Sequence, residues 1–276
     1  GALSALAEHG GEAKVLAGGQ SLVPMLNFRI AQPAVLVDIN PVRELDYIRF
    51  EDGWVHIGAR TRQRSLEKTP AVKEKCPLLA EVVKWIGHPQ IRNRGTVGGS
   101  LVHGDPTAEL ALVATLLDTQ FVIQSKTKSR TIGPGDFFEG VMTTQMEEDE
   151  ILTQVSYPVA PPRSGYGFRE LCLRHGDFAV VAAVVQITIS ENGWCSEARV
   201  AVSGAGPKAL RIRGAEESLL GSDVNTKVLD AAAARVPDEV DPITDPKGSE
   251  TYRREMAKVF VRRALEDARS MVKEAH

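Results

Sequence analysis

The chain has 276 residues, of which 43% are hydrophobic and 25% charged, with a formal net charge of −3. This length and balance are typical of a globular protein with two or three folding units. The charge gives no reason to expect nucleic acid or an anionic membrane as a partner. No apolar run reaches the roughly 20 residues of a membrane span, and no signal-peptide pattern opens the chain, so we expect a cytoplasmic protein.

The first part of the chain is predicted to contain two helices and two strands around a glycine-rich turn. The branched residues Val35, Val37 and Ile39 are typical of a buried strand, and Ser21 is expected to cap the second helix. The predicted elements are a helix at 2–9, a strand at 14–17, a short helix ending at Phe28 and a strand at 35–39.

The second part, residues 42–160, is predicted to mix strands with two helices. In the first helix, residues 78–86, apolar side chains recur at helical spacing. The second helix is expected to start with Asp105 as its cap and Pro106 as its first residue. The remaining predicted elements are a half-buried strand at 53–58 and a hairpin of strands at 121–123 and 130–132.

A proline-rich break at residues 158–162 precedes the third part. Its two predicted strands, 180–189 and 198–202, are antiparallel and joined through Asn192-Gly193, which is typical of a type I′ turn. The remaining segments are predicted as helices at 213–220, 226–236 and 250–272, with a loop rich in proline and aspartate at 237–248.

The three cysteines, Cys76, Cys172 and Cys195, are odd in number and widely spaced. This spacing favours neither a disulfide framework nor a metal site, and an iron–sulfur cluster usually needs four thiolates. We interpret them as free thiols. The sequence predicts no metal ligands and no catalytic acid–base pair.

Two glycine-rich segments carry the functional interpretation: residues 17–21 (Ala-Gly-Gly-Gln-Ser) and residues 96–100 (Thr-Val-Gly-Gly-Ser). Glycine permits a positive φ and close approach to a ligand, and successive N–H groups can form a nest for anionic oxygen. Two such nests suit the two phosphates of a dinucleotide better than one phosphate. A lone Gly-Gly is more often a tight turn, and neither segment matches the dinucleotide fingerprint or a P-loop.

Longer strings around these segments resemble a known family. They are Ala-Gly-Gly-Gln-Ser-Leu-Val-Pro-Met-Leu at 17–26, Arg-Asn-Arg-Gly-Thr-Val-Gly-Gly-Ser-Leu at 92–101 and His-Gly-Asp-Pro at 103–106. Together with Phe-Arg-Glu at 168–170 and Gly-Asp-Phe-Ala at 176–179, they resemble the FAD-binding medium subunit of bacterial molybdenum hydroxylases. That family includes the medium subunit of aerobic carbon monoxide dehydrogenase and the flavin domain of xanthine dehydrogenase. The resemblance covers essentially the whole chain.

The resemblance implies an α+β fold with two domains. Residues 1–160 would form a two-subdomain FAD-binding fold of the vanillyl-alcohol-oxidase-like (PCMH) type, with subdomains at about 1–41 and 42–160. Residues 161–276 would form a C-terminal flavoprotein domain, an antiparallel sheet with a helical bundle.

The resemblance also implies a set of FAD-binding residues in which both glycine segments wrap the pyrophosphate. Asp105 and Glu109 would accept hydrogen bonds from ribose or adenine, although helix capping and dipole complementation explain them as well. Ile86 and Leu152 would line the flavin or adenine pocket, or belong to the plain core. The implied set is Val15, Leu16, Ala17, Gly18, Gly19, Gln20, Ser21, Leu22, Ile86, Thr96, Val97, Gly98, Gly99, Ser100, Asp105, Glu109, Leu152 and Arg169.

Arg169 belongs to the implied site, and Arg92 and Arg94 precede its second glycine-rich segment in the sequence. Arg169 stands where the family often has lysine near the isoalloxazine ring, and a fixed cation there would raise the reduction potential of the flavin. Arginine keeps the charge but changes the donor geometry, and a surface salt bridge with Glu170 is the alternative. Arg92 and Arg94 would contact phosphate, face a partner protein or be solvated.

By resemblance, the chain is an electron-transfer subunit of a heteromeric molybdenum hydroxylase. A large subunit would hold molybdopterin, a small subunit two [2Fe-2S] clusters, and the whole would be a dimer of heterotrimers. Electrons would pass from the clusters to FAD on this chain and then to an external acceptor. The alternatives are a free-standing FAD-dependent oxidase or reductase of the same superfamily and a non-enzymatic nucleotide-binding or scaffold protein.

Overall fold

The computed structural model describes residues 1–274, so the last two residues of the predicted C-terminal domain lie outside the described residues. The α-helices are α1 (Ala2–His9), α2 (Leu22–Asn27), α3 (Gln63–Lys68), α4 (Pro70–Lys75), α5 (Pro77–Val82), α6 (Pro89–Arg94), α7 (Val97–His103), α8 (Glu109–Leu116), α9 (Pro134–Phe137), α10 (Arg213–Leu219), α11 (Thr226–Glu239) and α12 (Glu250–Glu274). Short 3-10 helices lie at Gly10–Glu12, Arg43–Leu45 and Val83–Trp85. None of the helices in this range is long and apolar enough to cross a membrane.

The strands form separate sheets, each of which belongs to one stretch of the chain. They are β1 (Ala13–Leu16), β2 (Val35–Asp38), β3 (Ile48–Glu51), β4 (Trp54–Gly58), β5 (Gln120–Gln124), β6 (Ser129–Ile132), β7 (Phe138–Gly140), β8 (Thr143–Thr144), β9 (Ile151–Pro158), β10 (Ser164–Leu171), β11 (Val181–Ile189), β12 (Cys195–Ser203) and β13 (Leu210–Arg211). The strand orders are β1-β2, β3-β4-β9-β5-β6, β7-β8 and β10-β11-β12-β13. Only the pair β1-β2 is parallel among the described strands, because α2 lies in the connection between its members.

The two-stranded sheet β1-β2 and the five-stranded sheet have separate cores. A small core beside β1 and β2 contains Leu6, Ala13, Val37 and Ile39, and Ile151 from β9 joins it. A larger central core lies between the five-stranded sheet and the helices α3, α4, α5, α7, α8 and α9. The N-terminal unit therefore packs against the central unit through Ile151, the first residue of β9.

The C-terminal sheet is buried on both faces. Along β11, Ala182 and Val184 belong to the central core, whereas Val181, Ala183 and Val185 pack with α10, α11 and α12. Successive side chains of a strand point to opposite faces, so burial on both faces explains why this strand is a continuous apolar run. The sheet thus joins the helical layer of the C-terminal part to the central core.

Helix α12 lies directly against the backbone of β10. A Cβ atom on Gly165 would lie 2.6 Å from Val272 Cγ2, and one on Gly167 would lie 2.9 Å from Ala264 Cα. The atoms of Ala264 and Ala268 at this contact belong to the backbone of α12. Small residues on both elements therefore set the distance between helix and strand.

Most predicted elements are confirmed, but several predicted details are wrong. The β11–β12 connection is not a type I′ turn, which needs two positive φ values. Gly193 has a φ of +84° and donates its N–H to the Ser190 carbonyl at 3.0 Å, whereas Asn192 does not have a positive φ. Pro237, predicted to begin a loop, lies inside α11.

The predicted helix start at Asp105 is also wrong. The Asp105 carboxylate accepts the Thr107 N–H at 2.8 Å and the Thr107 hydroxyl at 2.7 Å, which closes a turn. Helix α8 begins only at Glu109, with Ala108 in the N-cap position. A short polar side chain can satisfy a nearby backbone amide in a turn as well as in a cap, and the turn prevails here.

We predict that Gly167→Ala destabilises the C-terminal sheet. The added methyl group would overlap the backbone of α12, so the free energy of unfolding should fall by about 3 kcal/mol. Chemical denaturation measures this change. Gly133→Ala is the matched control because a Cβ atom there has nothing within 4 Å, and an equal loss in both variants would contradict the packing argument.

Candidate functional site

The structure brings the two glycine-rich segments into contact. A Cβ atom on Gly99 would lie 3.7 Å from the Cβ of Ala17, and one on Gly18 would lie 2.9 Å from the Cα of Gly95. No side chain can stand between Gly18 and residues 94–95, so this position needs glycine for close approach. Segments that are far apart in the sequence therefore form one surface.

Residues 17–21 form a cradle of backbone N–H groups. Gly19 has a φ of +75°, a conformation that glycine adopts without steric cost. The amides of residues 18–22 donate to no acceptor within residues 1–274, whereas the next amide, that of Val23, donates to the Gly19 carbonyl at 3.0 Å. Such a run of unpaired donors is the requirement for binding an anionic oxygen.

Ser21 takes the N-cap position of α2 but does not cap it. Its φ of −102° and ψ of −48° are helical, whereas a capping side chain needs an extended backbone at this position. The prediction of a side-chain cap is therefore wrong. The Ser21 hydroxyl is left available as a donor beside the cradle.

The second segment differs from the sequence interpretation, because its residues form the first turn of α7. The Val97 N–H donates to the Thr61 carbonyl at 2.9 Å, and the Gly98 N–H donates to the Ala59 carbonyl at 2.8 Å. The Gly99 N–H donates to Thr96 Oγ1 at 3.1 Å, so Thr96 caps the helix. These amides are therefore occupied within the chain and do not form a second free nest.

Gly98 is required for packing rather than for a positive φ. A Cβ atom on this residue would lie 2.5 Å from the Cβ of Ala59. This contact holds α7 against the end of β4, and the exposed Gly99 lies beside Ala17 of the first segment. The second segment thus supplies a wall rather than a row of amides.

The structure assigns the two arginines of α6 different surroundings. Arg92 is buried and donates to the carbonyls of Ile86 at 3.0 Å and Gly87 at 3.1 Å. It also pairs with Glu67 at 3.1 Å, so Arg92 holds a turn of the backbone and is not solvated. Arg94 is exposed, and its carbonyl is the atom that faces Gly18.

The turn that Arg92 holds makes contact with the C-terminal part of the chain. The Trp85 ring lies 5.5 Å from that of Phe168 in an edge-to-face arrangement and 5.6 Å from the stacked ring of His175. Ile86 is partly buried beside the central core, and Leu152 is 3% exposed within it. Of the two apolar site residues, Leu152 therefore has the surroundings of plain core.

A cluster of acids lies where α8 meets β10. Both carboxylate oxygens of Glu170 are buried, and neither has a hydrogen-bond partner among residues 1–274. Burial and then the Glu170 charge raise the pKa of Glu109 to about 8, and burial raises the pKa of Glu170 to about 7. Each carboxyl thus holds its proton more tightly than in water. No group of three potential metal-ligating side chains is found among the described residues.

Arg169 points away from this acid cluster. Its guanidinium pairs with Asp267 of α12 at 2.7 Å, whereas Phe168 and Glu170, its neighbours along β10, take the opposite face. The alternative of a salt bridge with Glu170 is wrong for this reason. Because side chains alternate along a strand, the sequence could have placed Glu170 on the same face of β10 as Phe168 and opposite Arg169.

We predict that Glu170→Gln stabilises the protein at high pH. Because the folded state binds protons more tightly than the unfolded state, the free energy of unfolding of the wild type falls as the pH rises from the ordinary value of 4.5 to about 8. Glutamine cannot ionise. The free energy of unfolding of the variant should therefore exceed that of the wild type by on the order of 2 kcal/mol at about pH 8 and equal it at about pH 4. Urea denaturation at both pH values measures this, with the exposed Glu217→Gln as the control. A gain of equal size at both pH values would contradict the prediction.

Comparisons with known proteins agree with this geometry. Residues 1–160 match the FAD binding domain in molybdopterin dehydrogenase, and residues 166–268 match the CO dehydrogenase flavoprotein C-terminal domain. The chain is 41% identical to the 6-hydroxypseudooxynicotine dehydrogenase complex subunit alpha of Paenarthrobacter nicotinovorans, over 97% of this chain and 90% of that protein. It is 37% identical to the carbon monoxide dehydrogenase medium chain of Hydrogenophaga pseudoflava, over 97% of this chain and 93% of that protein.

A solved structure supports the same assignment. The chain superposes on carbon monoxide dehydrogenase from Hydrogenophaga pseudoflava with a TM-score of 0.94, over 98% of this chain and 93% of that chain. Quinoline 2-oxidoreductase from Pseudomonas putida 86 superposes with a TM-score of 0.93 at 31% identity, over 98% of this chain and 94% of that chain. The chain therefore belongs to the family of FAD-binding subunits of molybdopterin dehydrogenases.

Proposed function

We propose that residues 17–21 bind the diphosphate of FAD and that the chain passes electrons through this cofactor within a heteromeric molybdenum hydroxylase. The observation that carries the site is the run of unpaired amides at residues 18–22, which lies against the start of α7. Backbone N–H groups suit a diphosphate because they are fixed donors whose partial charges need no proton transfer. FAD, when bound, supplies the redox chemistry, and the chain supplies binding, orientation and electrostatics.

The residues present fit a diphosphate. The cradle offers amides from one segment, and the hydroxyls of Ser21 and Ser100 add donors from both segments. The occupied amides of Val97 and Gly98 place the α7 backbone but donate no hydrogen bond to the ligand in this arrangement. Apart from Leu152, which lies within the central core, we retain the other predicted site residues as the proposed walls of the cofactor site.

We assign the first 160 residues to a two-subdomain FAD-binding fold of the PCMH type, with subdomains at about 1–41 and 42–160, and residues 161–276 to the C-terminal domain. The separate cores beside β1-β2, beside the five-stranded sheet and beside α12 support this division. The C-terminal sheet contributes to both neighbouring cores, so we expect it to hold the domains in a fixed orientation.

We propose two partner subunits, one large with molybdopterin and one small with two [2Fe-2S] clusters, in a cytoplasmic dimer of heterotrimers. The names of the relatives as a medium chain and as a complex subunit support the partners. The three cysteines are free: Cys76 lies between α4 and α5, Cys172 follows β10, and Cys195 begins β12. Their separation supports placing the clusters on another chain. The test is co-purification of the complex followed by metal analysis.

We predict that Gly18→Ala removes FAD from the purified protein. The added methyl group would push residues 17–21 away from residues 94–95, so the cradle would lose its shape. Flavin absorbance relative to protein should fall at least tenfold, since the lost contacts include charge-assisted hydrogen bonds. Gly135→Ala is the control, because a Cβ atom there meets open space; retention of equimolar FAD by Gly18→Ala would contradict the placement.

We predict that Arg169→Ala lowers the flavin midpoint potential without removing FAD. In this proposal the positive charge of the guanidinium stabilises the reduced flavin ring even though the guanidinium is paired with Asp267. Spectroelectrochemistry of the complex measures the midpoint. Arg163→Ala, which removes an exposed ion pair with Glu191, is the control, and equal midpoints in both variants and the wild type would remove Arg169 from the site.

A further inference from the structure

A hydrogen-bonded pair outside the predicted site ties the two glycine-rich segments together. The Arg62 Nη2 group donates to Asn40 Oδ1 at 2.7 Å, and the Arg62 Nη1 group donates to the carbonyl of Arg94. Asn40 Nδ2 in turn donates to the carbonyl of Ala17 at 2.8 Å. One guanidinium and one amide therefore connect residue 17, at the start of the cradle, with residue 94, just before α7.

The orientation of the Asn40 side chain is itself fixed. Its backbone N–H and its Nδ2 group donate to the Asp38 carboxylate at 2.9 and 2.6 Å. These donors hold the pKa of Asp38 below its usual value, so the acceptor stays charged at neutral pH. With Nδ2 facing Asp38 and Ala17, the oxygen of the amide must face Arg62. The connection has one arrangement rather than several.

The cradle has few other attachments. Helix α2, which follows it, is apolar in sequence but buries no residue. The Gln20 side chain donates only to the Gly18 carbonyl within the same loop, at 3.3 Å. The contact between Ala17 and Gly99 is van der Waals contact across glycine. Beyond the backbone contact of Gly18 with residues 94–95, Arg62 and Asn40 are therefore the polar groups that fix the position of the cradle relative to α7.

The charge around Arg62 also favours an anionic ligand nearby. Burial, followed by the neighbouring guanidiniums of Arg94 and Arg60, lowers the pKa of Arg62, while Asp46 and Asp38 offset part of this effect. Like charges held together repel in the absence of a ligand. A diphosphate in the cradle would relieve that repulsion.

We propose that Arg62 and Asn40 are positioning residues for the diphosphate of FAD, and that they act as one unit by holding the cradle against α7. The inference rests on the proposed function, because FAD is the source of the diphosphate. It assigns a ligand-binding role to two residues that lie outside both glycine segments. Neither side chain needs to touch the ligand for this role.

The test compares three ligands that differ in phosphate content. Flavin-free full-length protein is titrated with FAD, with ADP and with riboflavin, which has no phosphate. Arg62→Gln and Asn40→Ala should each weaken FAD and ADP binding by about 10- to 100-fold, the usual effect of losing hydrogen bonds to a charged group. Riboflavin binding should stay unchanged, as should all three affinities in the control Arg163→Gln.

The double variant separates a shared unit from two independent contributions. If the two residues act together, the double variant should lose no more FAD affinity than the weaker-binding single variant. Additive losses, FAD and ADP affinities within twofold of the wild type, or an equal loss of riboflavin binding would overturn the inference. Asn40→Ala carries the test alone if Arg62→Gln does not fold.

The controls also distinguish this inference from the proposed function. Wild-type protein that binds FAD with the same affinity as every variant would overturn the positioning role and leave the FAD site in place. Wild-type protein that binds neither FAD nor ADP would overturn both.

Discussion

The whole site depends on two close approaches at glycine residues. Gly18 lies against residues 94–95 without an intervening side chain, which brings a loop of the N-terminal unit to the residues just before α7. Gly98 lies against Ala59, which holds α7 against the end of β4. Because a single methyl group would not fit at either contact, the glycines are needed for packing between elements as much as for any property of the loop itself.

Polar side chains then hold the backbone in the close arrangement that the glycines allow. Arg92 donates to the carbonyls of Ile86 and Gly87 in one turn and pairs with Glu67. Arg62 donates to the carbonyl of Arg94 and to the side-chain oxygen of Asn40. Buried guanidiniums suit this purpose because their planar fork makes several directed hydrogen bonds at once. Burying such a group costs free energy unless its donors are paired. The site is therefore ordered by a few charged groups around loops that contribute little apolar burial.

The junction with the C-terminal domain combines an apolar sheet with an unpaired acid cluster. Strand β11 contributes to two cores, so the sheet cannot shift without exposing apolar surface on both faces. Glu109 and Glu170 meet at the same junction with pKa values raised by burial. Buried titratable groups without partners reduce stability and are common near functional sites. This placement agrees with a cofactor site bordered by both domains.

The sequence alone determined the local elements and the family, because apolar periodicity and short glycine motifs are properties of neighbouring residues. It predicted the β5–β6 hairpin and α12, and it singled out residues 17–21. Only the tertiary structure decided that the amides of Val97 and Gly98 are occupied, that Asp105 closes a turn, and that Asn40 and Arg62 connect the two segments. The occupied amides and the connection through Asn40 and Arg62 depend on acceptors at Ala59, Thr61, Ala17 and Arg94, which come close only after folding. The Asp105 turn is local, but the same residue types form a turn or a helix cap, so the sequence pattern did not distinguish the two.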